Sequence, residues 1–256
     1  MKLVETWKEF LEELTDPDNI DMSSFDMKES LNTDIWENEL LKPDIGDRLY
    51  EIAKDFFESL DLGWVDIEDI ILTGSLANYN WSEYSDVDLH IVIDFNKVDE
   101  NLELVKDYLN SVRMRWNDTH NINIKGFEVE IYMQDAAEEH VSTGIYSIVK
   151  DEWLRKPSRE ELRIDWNTVE KKAVSLMEEI DHIYEMFESK DFKGALNAAE
   201  RLKEKIRKFR KAGLESGGQY SAENLAFKIL RRNEYLGKLS SLRISAYDRM
   251  MSLNGE

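Results

Sequence analysis

The chain has no cysteine, so a disulfide framework, a cysteine-ligated zinc site and a thiol nucleophile are all excluded. Proline is scarce, at three in 256 residues, which together with 11% aromatics argues for an ordered globular protein rather than a disordered one. No apolar run is long enough to span a bilayer, and the start Met1-Lys2-Leu3-Val4-Glu5-Thr6-Trp7-Lys8 holds no stretch fit for a signal peptide. A cytoplasmic location with no membrane partner is therefore the expectation. Basic residues are also in deficit: 33 Lys and Arg against 54 Asp and Glu give a net charge of −21. Neutralising a run of phosphates needs clustered cations, so extended nucleic-acid binding is not expected, although a local basic groove stays open.

What is present suffices for a real core, with 42% of residues hydrophobic. Charge divides the chain unevenly. Residues 196–256 carry about 13 basic and 7 acidic side chains, roughly +6, which leaves about −27 on the remainder. Leu3, Trp7, Phe10, Leu11 and Leu14 recur at helical spacing, and a polar, acidic stretch follows to residue 43. Pro43 opens a helix with Ile45, Leu49, Ile52, Phe56 and Leu60 on one stripe, closed by Gly63. The period then changes. Ile70-Ile71-Leu72, Val87 to Ile93 and Phe127 to Met133 read as strands, 99–116 as a helix and 145–155 as a hairpin. After Pro157 the pattern is helical, with stripes at Val169, Ala173, Leu176, Ile180, Ile183 and Phe187, then Leu196, Ala199, Leu202 and Ile206, then Leu225, Ile229 and Leu230. The expected architecture is an N-terminal helix and wrapping segment over 1–43, a small α/β (α+β) domain with a mixed sheet over 44–156, and a C-terminal α-helical bundle over 157–256.

The chemistry is carried by Thr73-Gly74-Ser75 at a strand end, a ten-residue gap, and Asp86-Val87-Asp88-Leu89. Alternate strand residues share a face, so Asp86 and Asp88 project together while Val87, Leu89 and Ile91 point to the core. Two carboxylates side by side repel unless a cation sits between them, and oxygen ligands without sulfur suit Mg²⁺ or Mn²⁺. Gly74 and Ser75 offer backbone N–H groups and a hydroxyl to phosphate. Phe127-Glu128-Val129-Glu130-Ile131-Tyr132 supplies two candidates for a third carboxylate, of which Glu130, flanked by Val129 and Ile131, is preferred.

This order of strand-Gly-Ser, Asp-hydrophobic-Asp and a later acid-bearing strand resembles the active-site signature of the DNA polymerase β-like nucleotidyltransferases. The resemblance spans roughly residues 45–135. More narrowly, Leu72 to Asn80 and Val129 to Gln134 look like nucleotidyltransferases of large tailed bacteriophages. It implies Gly74 and Ser75 on the triphosphate of an NTP, Asp86 and Asp88 on Mg²⁺ or Mn²⁺, and Glu130 as third ligand or base. The implied reaction is attack of an acceptor hydroxyl on the α-phosphate with release of pyrophosphate. The acceptor is ranked as a protein side chain or small molecule first and a short RNA 3′ end next. A nucleotide-binding or interaction module using the same fold without catalysis is the alternative.

Several neighbours stay open. Ser85 is a phosphate contact or a strand-entry cap, and His90 a core histidine or part of the site. His140, Ser142, Thr143 and Tyr146 form a polar cluster that could line a pocket. Arg113, Arg115 and Lys125 are candidates for the triphosphate tail; Arg201, Lys203, Lys205, Arg207, Lys208, Arg210 and Lys211 are a wet face or, together with Lys228, Arg231 and Arg232, a groove for an anionic substrate.

Overall fold

The computed structural model describes residues 27–140, 142–159 and 164–253. These fall into two compact units, residues 27–159 and residues 164–253. The expected helix over Leu3 to Leu14 lies outside the described residues.

The first unit opens with a short antiparallel pair, β1 (Trp36–Glu37) and β2 (Leu40–Leu41). Asn38 and Glu39 turn the chain between them at φ 51° and 64°, and two left-handed residues in succession give the twist a tight hairpin requires. Leu31, Ile35, Trp36 and Leu41 are buried in the unit's core. Helix α1 (Pro43–Glu58) has proline in its first turn and buries Ile45, Leu49, Ile52, Ala53 and Phe56. It stops short of Gly63, where the sequence predicts its end. Ser59 Oγ donates to the Phe56 carbonyl at 2.6 Å, and Asp61 follows at φ 53°, so a side-chain hydrogen bond and a left-handed turn end the helix earlier.

A six-stranded mixed sheet follows, made of β3 (Asp69–Thr73), β4 (Val87–Ile93), β5 (Asn123–Ile124), β6 (Phe127–Asp135), β7 (Ile145–Ser147) and β8 (Glu152–Arg155). Its spatial order is β5-β6-β4-β3-β7-β8. β4 and β6 run parallel and the other neighbours antiparallel; the crossover between the parallel pair is helix α2 (Leu102–Thr119). β3 is buried throughout. β4 alternates buried Val87, Leu89, Ile91 and Ile93 with half-buried Asp88, His90 and Val92, so one face is core and the other is reachable. Beyond the end of β5 the outer edge of β6 is covered by α2: Asn117 Nδ2 donates to the Ile131 carbonyl and its Oδ1 accepts from the Ile131 N–H, both at 3.1 Å. One amide side chain thus completes the ladder where no strand does.

Trp36 holds the hairpin to the rest of the unit. It stacks on Trp153 at 4.6 Å, meets Tyr146 edge-on at 5.1 Å and donates its indole N–H to the Leu76 carbonyl at 2.7 Å. Trp64, by contrast, is 65% exposed and donates its indole N–H to the Lys97 carbonyl at 3.1 Å.

The second unit contains α3 (Trp166–Glu188), α4 (Phe192–Gly217), α5 (Ala222–Arg232) and α6 (Tyr235–Met251). Asp165, Asp191 and Ser221 accept backbone N–H groups at the first three N-termini. The expected stripes are buried, except that Phe187 is only partly covered. The break between α5 and α6 was not legible: it falls at Asn233-Glu234, with Glu234 at φ 57° and neither glycine nor proline present. Among the described residues no helix is long and apolar enough to cross a membrane.

Trp36→Ala removes a buried aromatic and orphans a carbonyl, so it is expected to cost about 3–5 kcal/mol of unfolding free energy, read from urea unfolding. A loss under about 1 kcal/mol would show that the hairpin is not bonded to the core as described.

Candidate active site

β3 ends in a tight turn. Gly74 has φ 74°, and a Cβ placed there would lie 1.7 Å from Asp88 Oδ2. The Asp88 carboxylate therefore occupies the space that any other residue at 74 would fill. The turn is held by Asn78, whose Nδ2 donates to the Gly74 carbonyl at 2.6 Å and whose backbone N–H donates to the Ser75 carbonyl at 3.0 Å. Thr143 Oγ1 donates to Asn78 Oδ1 at 2.7 Å, and a Cβ on Gly144 would lie 1.9 Å from the Ala77 carbonyl oxygen. The segment before β7 thus closes directly on the Gly-Ser turn.

The register places Thr73 opposite Asp88 on one side and Glu130 opposite Asp88 on the other. Asp86 sits one residue before β4, half-buried. Glu130 accepts a hydrogen bond from the Tyr132 hydroxyl; Glu128 is exposed and lies opposite Asn123 of the edge strand. Among the described residues no three His, Asp or Glu side chains are gathered into a cage for a metal. What is assembled is the Asp88–Glu130 pair beside the glycine turn, with Asp86 two residues along. That donor set fits Mg²⁺ or Mn²⁺ in kind, since Mg²⁺ takes one or two carboxylates and fills its shell with water and phosphate oxygens.

Ser75 Oγ donates to Ser85 Oγ at 2.8 Å, and Ser85 Oγ also accepts the Ser82 N–H at 2.9 Å. Ser85 is buried and ties the two ends of the ten-residue excursion that separates Ser75 from Asp86.

Residues 50–135 match the family model described as a nucleotidyltransferase domain. The segment is a polymerase β-like nucleotidyltransferase domain. No curated protein matches the chain. Among solved structures it is similar to a STING-associated CdnE c-di-GMP synthase from Capnocytophaga granulosa, at 14% identity over 82% of this chain and 84% of that one, with a TM-score of 0.20; at that score the likeness carries no argument. Neither finding bears on the narrower likeness to bacteriophage enzymes.

In the nucleotidyltransferase domain the ring systems beside the carboxylates form a row. His90 lies opposite Tyr132 in register and stacks on it at 4.9 Å; His140 meets His90 edge-on at 4.7 Å. Burial, with His140 next to it, pushes the His90 imidazole down to about 3, so it is neutral at physiological pH. Burial and the neighbouring Asp88 push the Tyr132 phenol up, as does its bond to Glu130, so the hydroxyl keeps its proton to donate. The Arg113 guanidinium lies over the Tyr132 ring at 4.7 Å.

Arg113 is the cation of the expected three that stands here; Arg115 is exposed and Lys125 sits 3.9 Å from Asp44. Of the polar cluster after β6, Ser142 and Thr143 lie on the loop against the turn, and Arg155 fixes that loop by donating to the His140 and Ser142 carbonyls at 3.0 and 2.8 Å. Tyr146 is different: it is fully buried and donates to Asp151 at 2.6 Å, a core residue rather than a pocket wall. Asn78, Asn117 and Tyr132 were not singled out from the sequence. Only Tyr132 had a local signal, standing two residues after Glu130 on the same face.

Gly74→Ala combines a left-handed backbone with a clash on Asp88. It is expected to lower stability by about 1–2 kcal/mol. Gly63→Ala, with open space around its Cβ position, should be neutral or stabilising by up to about 1 kcal/mol. Chemical unfolding of the two variants side by side checks the contrast.

Proposed function

We propose that the protein transfers a nucleoside monophosphate from a divalent-metal-bound NTP to an acceptor hydroxyl and releases pyrophosphate. The observation that carries this reading is the seating of the Asp88 carboxylate, near the start of β4, over Gly74 and opposite Glu130, beside the point where β3 opens into the Gly-Ser turn. Asp86 and Asp88 would hold the metal, with Glu130 as the third carboxylate. When bound, Mg²⁺ or Mn²⁺ supplies Lewis-acid stabilisation of charge on the attacking and leaving oxygens. The backbone N–H groups and hydroxyl of Gly74-Ser75 bind and orient the triphosphate. A new bond joins the acceptor oxygen to the α-phosphorus as the bond to the β-phosphate bridging oxygen breaks. The hydroxyl proton leaves to a carboxylate of the site, and the electron pair of the broken bond leaves with pyrophosphate. Arg113, at the end of the ring row, adds positive charge near the phosphates.

The acceptor is ranked as a protein side chain or small molecule, with a short RNA 3′ end next. A net charge of −21 disfavours long nucleic-acid tracks, and the reaction is placed in the cytoplasm.

The test is incubation with each α-labelled NTP, Mg²⁺ or Mn²⁺, and fractionated small molecules, RNA and protein. Label should move to one acceptor class and be lost, by about a thousandfold or more, in Asp86→Asn/Asp88→Asn with the fold intact by circular dichroism. Transfer that survives in the double variant would reject the site. Glu130→Gln should cost at least about tenfold more activity than Glu128→Gln; the opposite ranking would move the third carboxylate to Glu128.

A further inference from the structure

Asp88 and Glu130 differ in how firmly the fold can hold them. Asp88 is short, and its carboxylate is wedged against Gly74. Glu130 has one more rotatable bond, and its carboxylate accepts from Tyr132 through Oε2, leaving Oε1 to turn toward Asp88. The Tyr132 ring is itself fixed by the His90 stack at 4.9 Å and by Arg113 at 4.7 Å. Between the two residues, the backbone of Ile131 is pinned to α2 through both polar atoms of Asn117. The hydroxyl is thus held at both its ring and its backbone.

Resting on the functional reading above, we infer that Tyr132 is a positioning residue: its phenol O–H locks one Glu130 oxygen so that the other faces the Asp88 side, converting a flexible glutamate into a one-oxygen metal ligand. Partners of this kind set ligand orientation in metal sites, and their loss typically weakens metal binding 10–100-fold. The bond to Tyr132 takes one lone pair of Oε2 and leaves Oε1 with both of its own for a metal.

The experiment is Mn²⁺ titration of the full chain, with free Mn²⁺ followed by electron paramagnetic resonance at physiological salt, on wild type, Tyr132→Phe, Glu130→Gln, Glu130→Gln/Tyr132→Phe and Asp88→Asn. Tyr132→Phe keeps the ring and removes only the hydroxyl, and its urea midpoint reports folding separately. Its affinity in the tightest class of sites should fall about tenfold, with no further fall when it is added to Glu130→Gln. In the transfer assay the Mn²⁺ concentration for half-activity should rise while the KM for NTP stays within twofold. Binding by Tyr132→Phe equal to or tighter than wild type would overturn the inference, as would an undiminished effect in the Glu130→Gln background, which would mark a purely structural role. Asp88→Asn binding Mn²⁺ like wild type would instead remove the metal site itself, and the inference with it.

Discussion

Side chains along a strand alternate faces with a period of two, so the register of β4 against β6 decides which groups meet. Asp88 stands opposite Glu130 and His90 opposite Tyr132; a slip of one residue would set Asp88 against Val129 or Ile131 and send the acidic row to the core face. The register is guarded on the buried side by Val87, Leu89, Ile91 and Ile93 of β4 and by Val129 and Ile131 of β6. At the edge, Asn117 is bonded to Ile131 alone. Hydrophobic burial on one face therefore fixes the chemistry on the other.

That arrangement is electrostatically costly. The two carboxylates stand in register on neighbouring strands and repel each other, and the whole chain carries −21. Two neighbours reduce the cost by different means: Tyr132 donates to Glu130, and Arg113 brings a cation over the Tyr132 ring. His90, kept neutral by burial, contributes no charge. A divalent cation at the pair would relieve the rest, which is the physical sense in which the carboxylates fit a metal although no cage of three is formed in advance.

Much of this was legible in the residues. The alternation at 86–91 sent Val87, Leu89 and Ile91 to the core and left Asp88 reachable, the apolar run at 70–72 announced a buried strand, and Phe127 to Met133 announced the strand that bears Glu130. What was not legible depends on side chains that meet only in three dimensions. Asn117 and Ile131 are fourteen residues apart, and nothing in an asparagine near a helix end signals that it will complete a sheet edge. Asn38-Glu39 and Asn233-Glu234 turn the chain through left-handed residues without the glycine that would have marked them. The end of α1 shows the reverse: Gly63 marked a stop, but Ser59 had already satisfied a terminal carbonyl.

The ten-residue excursion between Ser75 and Asp86 follows the Gly-Ser turn, and besides its internal bonds it is braced from outside the family-matched stretch. On the N-terminal side the Lys28 N–H donates to the Tyr79 carbonyl at 2.7 Å, Trp81 donates to the Ser30 carbonyl at 2.9 Å, and Trp36 donates to the Leu76 carbonyl at 2.7 Å. On the other side Thr143 bonds Asn78, and Gly144 packs against the Ala77 carbonyl. Residues 50–135 supply the carboxylates and the glycine turn, yet each of these bonds has its second partner at 28–36 or 143–144. An excursion of this length without regular structure is entropically expensive to fix, so the flanking chain does more than decorate the domain: it confines the turn that Asp88 is packed against.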